Sequence, residues 1–200
     1  MTTTIFLVRH AAHDNVGGFL AGRMPGVHLG VEGKAQAQRL GERMRRERFD
    51  GVIASPRERT QETASAIASA CGIAAVETDA RLDEIDFGDA WAGKDWIALN
   101  ADPGWKHWNE QRGTAKTAGG ESMADVQARI VQAIEEVAQR YQGGAVVLVS
   151  HADVIKAAIC CVLDLPLGHV SRFDISPASI SPLVWGDWGH KLLWLNETIA

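Results

Sequence analysis

The chain has 200 residues, of which 46% are hydrophobic and 22% charged, so it can fold around a substantial core. Its formal net charge of −5 gives no sign of nucleic-acid or membrane binding, and any anion site must be built locally against an acidic background. The three cysteines, Cys71 alone and Cys160 beside Cys161, lack metal-ligand spacing, which argues against a disulfide framework or a zinc site. The opening MTTTIFLVRH has neither the basic region nor the apolar stretch of a signal peptide. No run approaches the roughly 18 apolar residues of a membrane span. A cytoplasmic protein is expected, with no membrane or nucleic-acid partner.

In chain order, Thr4–Val8 predicts a buried strand, followed by glycine-rich irregular sequence to Gly30. A helix is predicted over Val31–Arg48 with Ala35, Leu40 and Met44 on its inner face. Gly51–Ala54 is a second strand, and Ser55-Pro56 suits the start of a helix to about Ala70. Ala74–Glu77 is a candidate third strand. Residues 85–120 carry four tryptophans in weakly periodic sequence and predict a partly helical excursion from the sheet. Ser122 and Asp125 form a capping box for a helix whose apolar stripe is Val126, Ile130, Ile134 and Val137. The apolar strand Ala145–Val149 leads into a helix from about Asp153 to Leu163, and the tail from Arg172 to Leu195 predicts strands separated by Pro182 and by the Gly186–Gly189 turn. Strands alternating with helices predict a three-layer α/β/α sandwich with a mixed, mostly parallel sheet, here as a single domain over 1–200 with a lid-like excursion at about 88–120.

In such sheets ligands bind beyond the carboxyl ends of strands. Arg9 and His10 follow the first strand, Arg57 and Arg59 follow the second, and His151 follows the apolar strand 145–149. Arginine forks bind phosphate oxygens and keep their charge, helix N-termini add N–H donors, and a neutral imidazole can attack phosphorus. A leaving alkoxide also needs a proton donor, for which Asp83, Glu84 and Asp86 are candidates.

The segments LVRHAAHDN (7–15), SPRERTQETA (55–64), RLDEIDFG (81–88), GGES (119–122) and VLVSHADVIKAAI (147–159) resemble, in order, the motifs of the histidine phosphatase superfamily. The resemblance implies a phosphoglycerate mutase-like fold and a metal-independent reaction through a phosphohistidine, with no cofactor. Carried over by motif, His10 corresponds to the nucleophile, Arg9 and Arg59 to the phosphate-binding arginines, Glu84 to the general acid/base and His151 to the second pocket histidine. Asn15, Gly22 and Ala152 correspond to further phosphate-binding positions.

Ala11 and Ala152 replace glycines of the family pattern, which is tolerable if neither backbone needs positive φ. Asn15 comes one residue early relative to His10, consistent with a deletion at 12–14. Cys160-Cys161 is expected in core, and His107, His169 and His190 lack partners at metal-ligand spacing. The tryptophans suit the core of a small cap, while Lys94, Lys106 and Arg112 among them suit a lid over a phosphorylated metabolite; Arg23 and His28 are further candidates for a substrate's anionic end. A phosphatase acting on a small phosphomonoester is expected, because the chain lacks a basic tail to enclose a bisphosphate. A phosphoglycerate mutase-type transferase is the alternative, an idle phosphate-ester sensor a weaker one, and the substrate and oligomeric state are left open.

Overall fold

The computed structural model describes residues 1–14 and 16–199. Six strands, β1 (Thr2–Arg9), β2 (Gly51–Ala54), β3 (Val76–Thr78), β4 (Ala145–Ser150), β5 (Ile180–Gly186) and β6 (Gly189–Leu192), form one sheet in the order β3-β2-β4-β1-β5-β6. β1 to β4 pair in parallel, whereas β5 runs antiparallel to both β1 and β6. The sheet is therefore mixed and mostly parallel, as the alternation of strands and helices implied.

Strand side chains alternate between two cores, the expected result of a period of two in a sheet covered on both faces. Ile5, Leu7, Ile53, Val146 and Leu148 enter one core, where they meet α5 (Met123–Arg140) and α6 (Ala152–Val162). Phe6, Val8, Val52, Ala54, Val147 and Val149 enter the other, covered by α1 (Val31–Met44) and α2 (Glu58–Cys71), which are numbered in chain order. In α1 the inner face is Ala37, Leu40 and Met44; Ala35 is only half-buried, and the helix stops four residues before Arg48. The capping box of α5 is present, with Ser122 and Asp125 bonding reciprocally, and its predicted stripe is buried in full.

Two local expectations fail. Helix α2 begins at Glu58 with Arg57 as its N-cap and no side-chain cap bond, so Ser55 lies outside it. Pro182 does not divide the tail but sits inside β5, opposite Phe6. Its carbonyl accepts from Leu193 N–H on the β6 side. A strand residue directs N and O to the same side, so the missing proline N–H removes no bond to β1.

The excursion between β3 and α5 carries α3 (Trp96–Ala101) and α4 (Pro103–Glu110). Trp91, Trp105 and Trp108 are buried with Phe87 in the α5/α6 core, their rings 5.3 to 6.1 Å apart. No helix of the described residues is long and apolar enough to cross a membrane.

Candidate active site

Three neighbouring parallel strands, β2, β4 and β1, deliver their carboxyl ends to one place. Arg9 pairs with Ser150 at the last rung of β1 and β4, and Ala54 pairs with Val149 on the other side. The next residues in each chain are His10, His151 and Ser55. Arg59 joins them from the first turn of α2.

His10 is buried, and its backbone is held by Ser150 O at its own N–H and by Ala178 N–H at its carbonyl. Its ring Nδ1 lies 2.8 Å from Ala11 O. A carbonyl only accepts, so Nδ1 carries the proton and Nε2 keeps a lone pair. Arg59 Nε donates to that Nε2 at 3.3 Å, and Arg59 NH2 reaches Gly22 O at 2.7 Å and His151 Nδ1 at 3.2 Å. The two imidazole centroids are 5.2 Å apart. Burial first, then the charges of Arg59 and Arg9, push His10 well below the ordinary histidine range. His151 is pushed down by burial and by Arg59 in the same way. Both rings are thus neutral, as a nucleophile toward phosphorus requires.

Arg9 donates from NH1 to Ile175 O at 2.6 Å. Its buried Nε and the buried NH1 of Arg59 have no hydrogen-bond partner among the described residues. Unsatisfied buried guanidinium N–H groups are costly unless an anion meets them, and a phosphate oxygen is the matching acceptor.

The three acidic candidates separate clearly. Asp83 is forked by Arg57, Nε to Oδ1 at 2.9 Å and NH2 to Oδ2 at 2.9 Å. Asp86 accepts from Gly88 N–H at 2.9 Å and lies 3.6 Å from Arg23. Glu84 has no fork: one oxygen accepts from Ile85 N–H and the other stands 3.7 Å from His151 Nδ1. Burial, reinforced by the negative charge of Asp153, pushes its carboxyl up to about 7. Glu84 is therefore the carboxyl of the three best suited to hold a transferable proton near neutrality.

Gly22 has φ of +52° and presents its carbonyl to Arg59, with Phe87 3.4 Å from where a Cβ would stand. Neither Ala11 nor Ala152 has positive φ, so the methyl groups in place of glycine cost no backbone strain. Ala152 opens α6 directly after His151, which is that helix's N-cap. Asn15 lies outside the described residues. Ala178, which donates to His10 O, adopts φ of +56°, a strained conformation for alanine that no sequence pattern signalled.

Four of the remaining basic candidates are already engaged, whereas Lys106 is exposed. Arg23 donates to Glu84 O and Glu121, and His28 bonds Glu62. Arg112 stacks 3.7 Å over Trp108 and donates to Asp153, and Lys94 lies 3.8 Å from Asp102. No group of three or more metal-ligating side chains is assembled among the described residues.

Residues 5–198 match the histidine phosphatase superfamily, branch 1. The chain belongs to this family. It is 32% identical over 197 residues to phosphoserine phosphatase 1 of Hydrogenobacter thermophilus, covering 97% of this chain and 92% of the relative. A probable phosphoglycerate mutase GpmB of Salmonella choleraesuis is 31% identical over 180 residues, covering 88% of this chain and 82% of the relative. Among solved structures, mycobacterial glucosyl-3-phosphoglycerate phosphatase superposes with a TM-score of 0.86 at 28% identity, covering 99% of this chain and 100% of that one. Phosphoserine phosphatase of Entamoeba histolytica, in complex with 3-phosphoglyceric acid, superposes with a TM-score of 0.87 at 25% identity, with 98% of each chain covered.

Proposed function

We propose that the protein hydrolyses a small phosphomonoester by two in-line transfers. His10 Nε2 attacks phosphorus while Glu84 protonates the leaving oxygen; water then displaces phosphate from His10, with Glu84 as the base. Arg9, Arg59 and His151 hold the equatorial oxygens as charge develops on them, and the N–H of Ala152 at the head of α6 adds a donor. Gly22 shapes the wall behind Arg59, and Asn15 is a further phosphate ligand by its place in the motif.

The observation that carries this reading is the unprotonated Nε2 of His10, fixed by the Ala11 carbonyl and facing a guanidinium with a buried N–H that has no partner among the described residues. Hydrolysis is favoured over mutase chemistry because Arg23, Arg57 and Arg112 are each committed to carboxylates, whereas a bisphosphate intermediate needs cations for a second anionic group. The likeness to a probable mutase keeps that second reading testable, by transfer from a phosphoenzyme to 3-phosphoglycerate instead of water. On the favoured reading, residues 88–120 form a wall of the site within one 1–200 domain, tied to α6 by the Arg112–Asp153 pair.

Incubation with an aryl phosphate and an acid-free quench is expected to trap an acid-labile, base-stable phosphoenzyme. His10→Ala should abolish both label and turnover. Label surviving in that variant would assign the nucleophile elsewhere.

A further inference from the structure

Ser55 is fully buried and caps no helix. Its Oγ lies 2.8 Å from His151 Nε2 and 3.3 Å from Asp83 Oδ1. The proton positions along this line follow from the partners. Arg59 can only donate, so His151 Nδ1, which takes its NH2 at 3.2 Å, carries no proton. Nε2 must then be the protonated nitrogen and donates to Ser55 Oγ. The serine proton is left for Asp83, whose carboxylate can only accept. Asp83 Oδ1 is 3.9 Å from His151 Nε2, too far for a direct hydrogen bond, so Ser55 is the bridge.

The ring's surroundings give this line a purpose. Arg9 and His10 from the end of β1, Arg59 from α2 and Arg129 from α5 all oppose a positive charge on His151. Asp83 and Glu84, from the segment after β3, are the acidic groups facing it. Glu84 must be protonated to begin the reaction, which leaves Asp83, its charge shared with the Arg57 fork and with Arg23 at 3.7 Å, as the acidic group that Ser55 connects to the ring.

Resting on the phosphatase reading of this site, we propose that Ser55 and Asp83 are positioning residues for His151. Ser55 accepts from the protonated Nε2 and so supports the tautomer that Arg59 selects at the bare Nδ1, which faces the phosphate. When a phosphate monoanion binds, its proton moves to Nδ1, and the imidazolium so formed is stabilised by Asp83 through the Ser55 hydroxyl. No bond other than those to the moving proton forms or breaks, and charge is conserved: a phosphate dianion and an imidazolium replace a monoanion and a neutral ring.

The test is nitrogen NMR of the full-length protein with labelled histidine, with inorganic phosphate as the probe. In the free wild type, His151 should show an unprotonated Nδ1 and a protonated Nε2, and phosphate should convert Nδ1 to the protonated form. Ser55→Ala should leave Nδ1 unprotonated when phosphate is added at neutral pH and weaken phosphate binding about tenfold to a hundredfold, the loss expected for one hydrogen bond to a charged group. Ser55→Thr, which keeps the hydroxyl, should restore both the phosphate affinity and the protonation of Nδ1. Asp83→Asn should keep the tautomer, since its amide oxygen still accepts from Ser55, yet fail to support Nδ1 protonation at neutral pH. Unchanged phosphate affinity in Ser55→Ala, with Nδ1 protonated on phosphate binding as in the wild type, would overturn the proposal. Absence of turnover in the wild type would count against the phosphatase reading alone, because the tautomer is observed without substrate.

Discussion

Arg59 Nε lies 3.3 Å from His10 Nε2, and the ring can accept that bond only because its proton is held on the other nitrogen. The same guanidinium touches His151 and the Gly22 carbonyl, so one fully buried cation sets the spacing of both imidazoles. It also helps to hold His10 neutral, since its charge is the largest contribution after burial to the depression of that ring's pKa.

Arg59→Lys should therefore be far from conservative. Lysine keeps the charge but cannot form a planar fork between two rings and a carbonyl. Removing one preorganised donor from a charge-developing site typically costs about a hundredfold to a thousandfold in rate. Steady-state kcat/KM on a phosphomonoester should fall on that order, with the far-ultraviolet spectrum unchanged. A loss below threefold would show that charge alone suffices there.

Activity should survive exhaustive chelation. On the proposed reading the cations that screen phosphate are Arg9 and Arg59, supplied by the chain itself, so guanidinium groups would fill the Lewis-acid role of a divalent ion. Turnover measured before and after dialysis against a strong chelator checks this. A loss restored by magnesium or zinc would contradict it.

Much of the site was legible because its residues stand directly beyond strand ends. The runs 4–8, 51–54 and 145–149 announce β1, β2 and β4, and Arg9, His10 and His151 follow them without a gap. What sequence could not resolve was pairing across the fold. Asp83, Glu84 and Asp86 look alike in RLDEIDFG, and only the positions of Arg57 and Arg23, from other segments, neutralise two of them and leave Glu84. Ser55 suited a helix cap by local preference, yet its hydroxyl is drawn to a histidine 96 residues away. Arg112 promised a ligand contact, but Asp153 reaches it first. In each case a long-range partner outbid the local rule.

Glu84→Gln should stabilise the protein in a pH-dependent way. The folded carboxyl titrates at about 7 against an ordinary 4.5, so the folded state holds this proton more tightly than the unfolded chain. Wild-type stability from this group is intact below about pH 4.5, declines as pH rises, and is lost in full above about 7. Glutamine carries no such penalty. The variant's advantage should grow across that window to at most about 3.4 kcal/mol at pH 8. Denaturant unfolding at pH 5 and pH 8 gives the comparison. A gain equal at both pH values would show that folding does not raise the pKa of Glu84.

The same substitution separates binding from proton donation in catalysis. An alkyl phosphate has a poor leaving group that must be protonated as the P–O bond breaks, and general acid catalysis typically contributes about a hundredfold to ten-thousandfold. Glu84→Gln should lose rate on that order with an alkyl substrate, while binding changes little because the arginines are untouched. In the wild type the rate on this substrate should fall as pH rises through about 7, where Glu84 loses its proton. An aryl phosphate with an acidic phenol leaves unaided, so its first step, read as the burst of phenol, should be far less affected. The pair of substrates also controls for damage to the fold, which would slow both bursts alike. Equal losses on both would mean that Glu84 does not protonate the leaving group. Asp83 would then be a poor replacement, since Arg57 occupies both of its oxygens, and Asp86, 42% exposed at its side chain, would be the next donor to test.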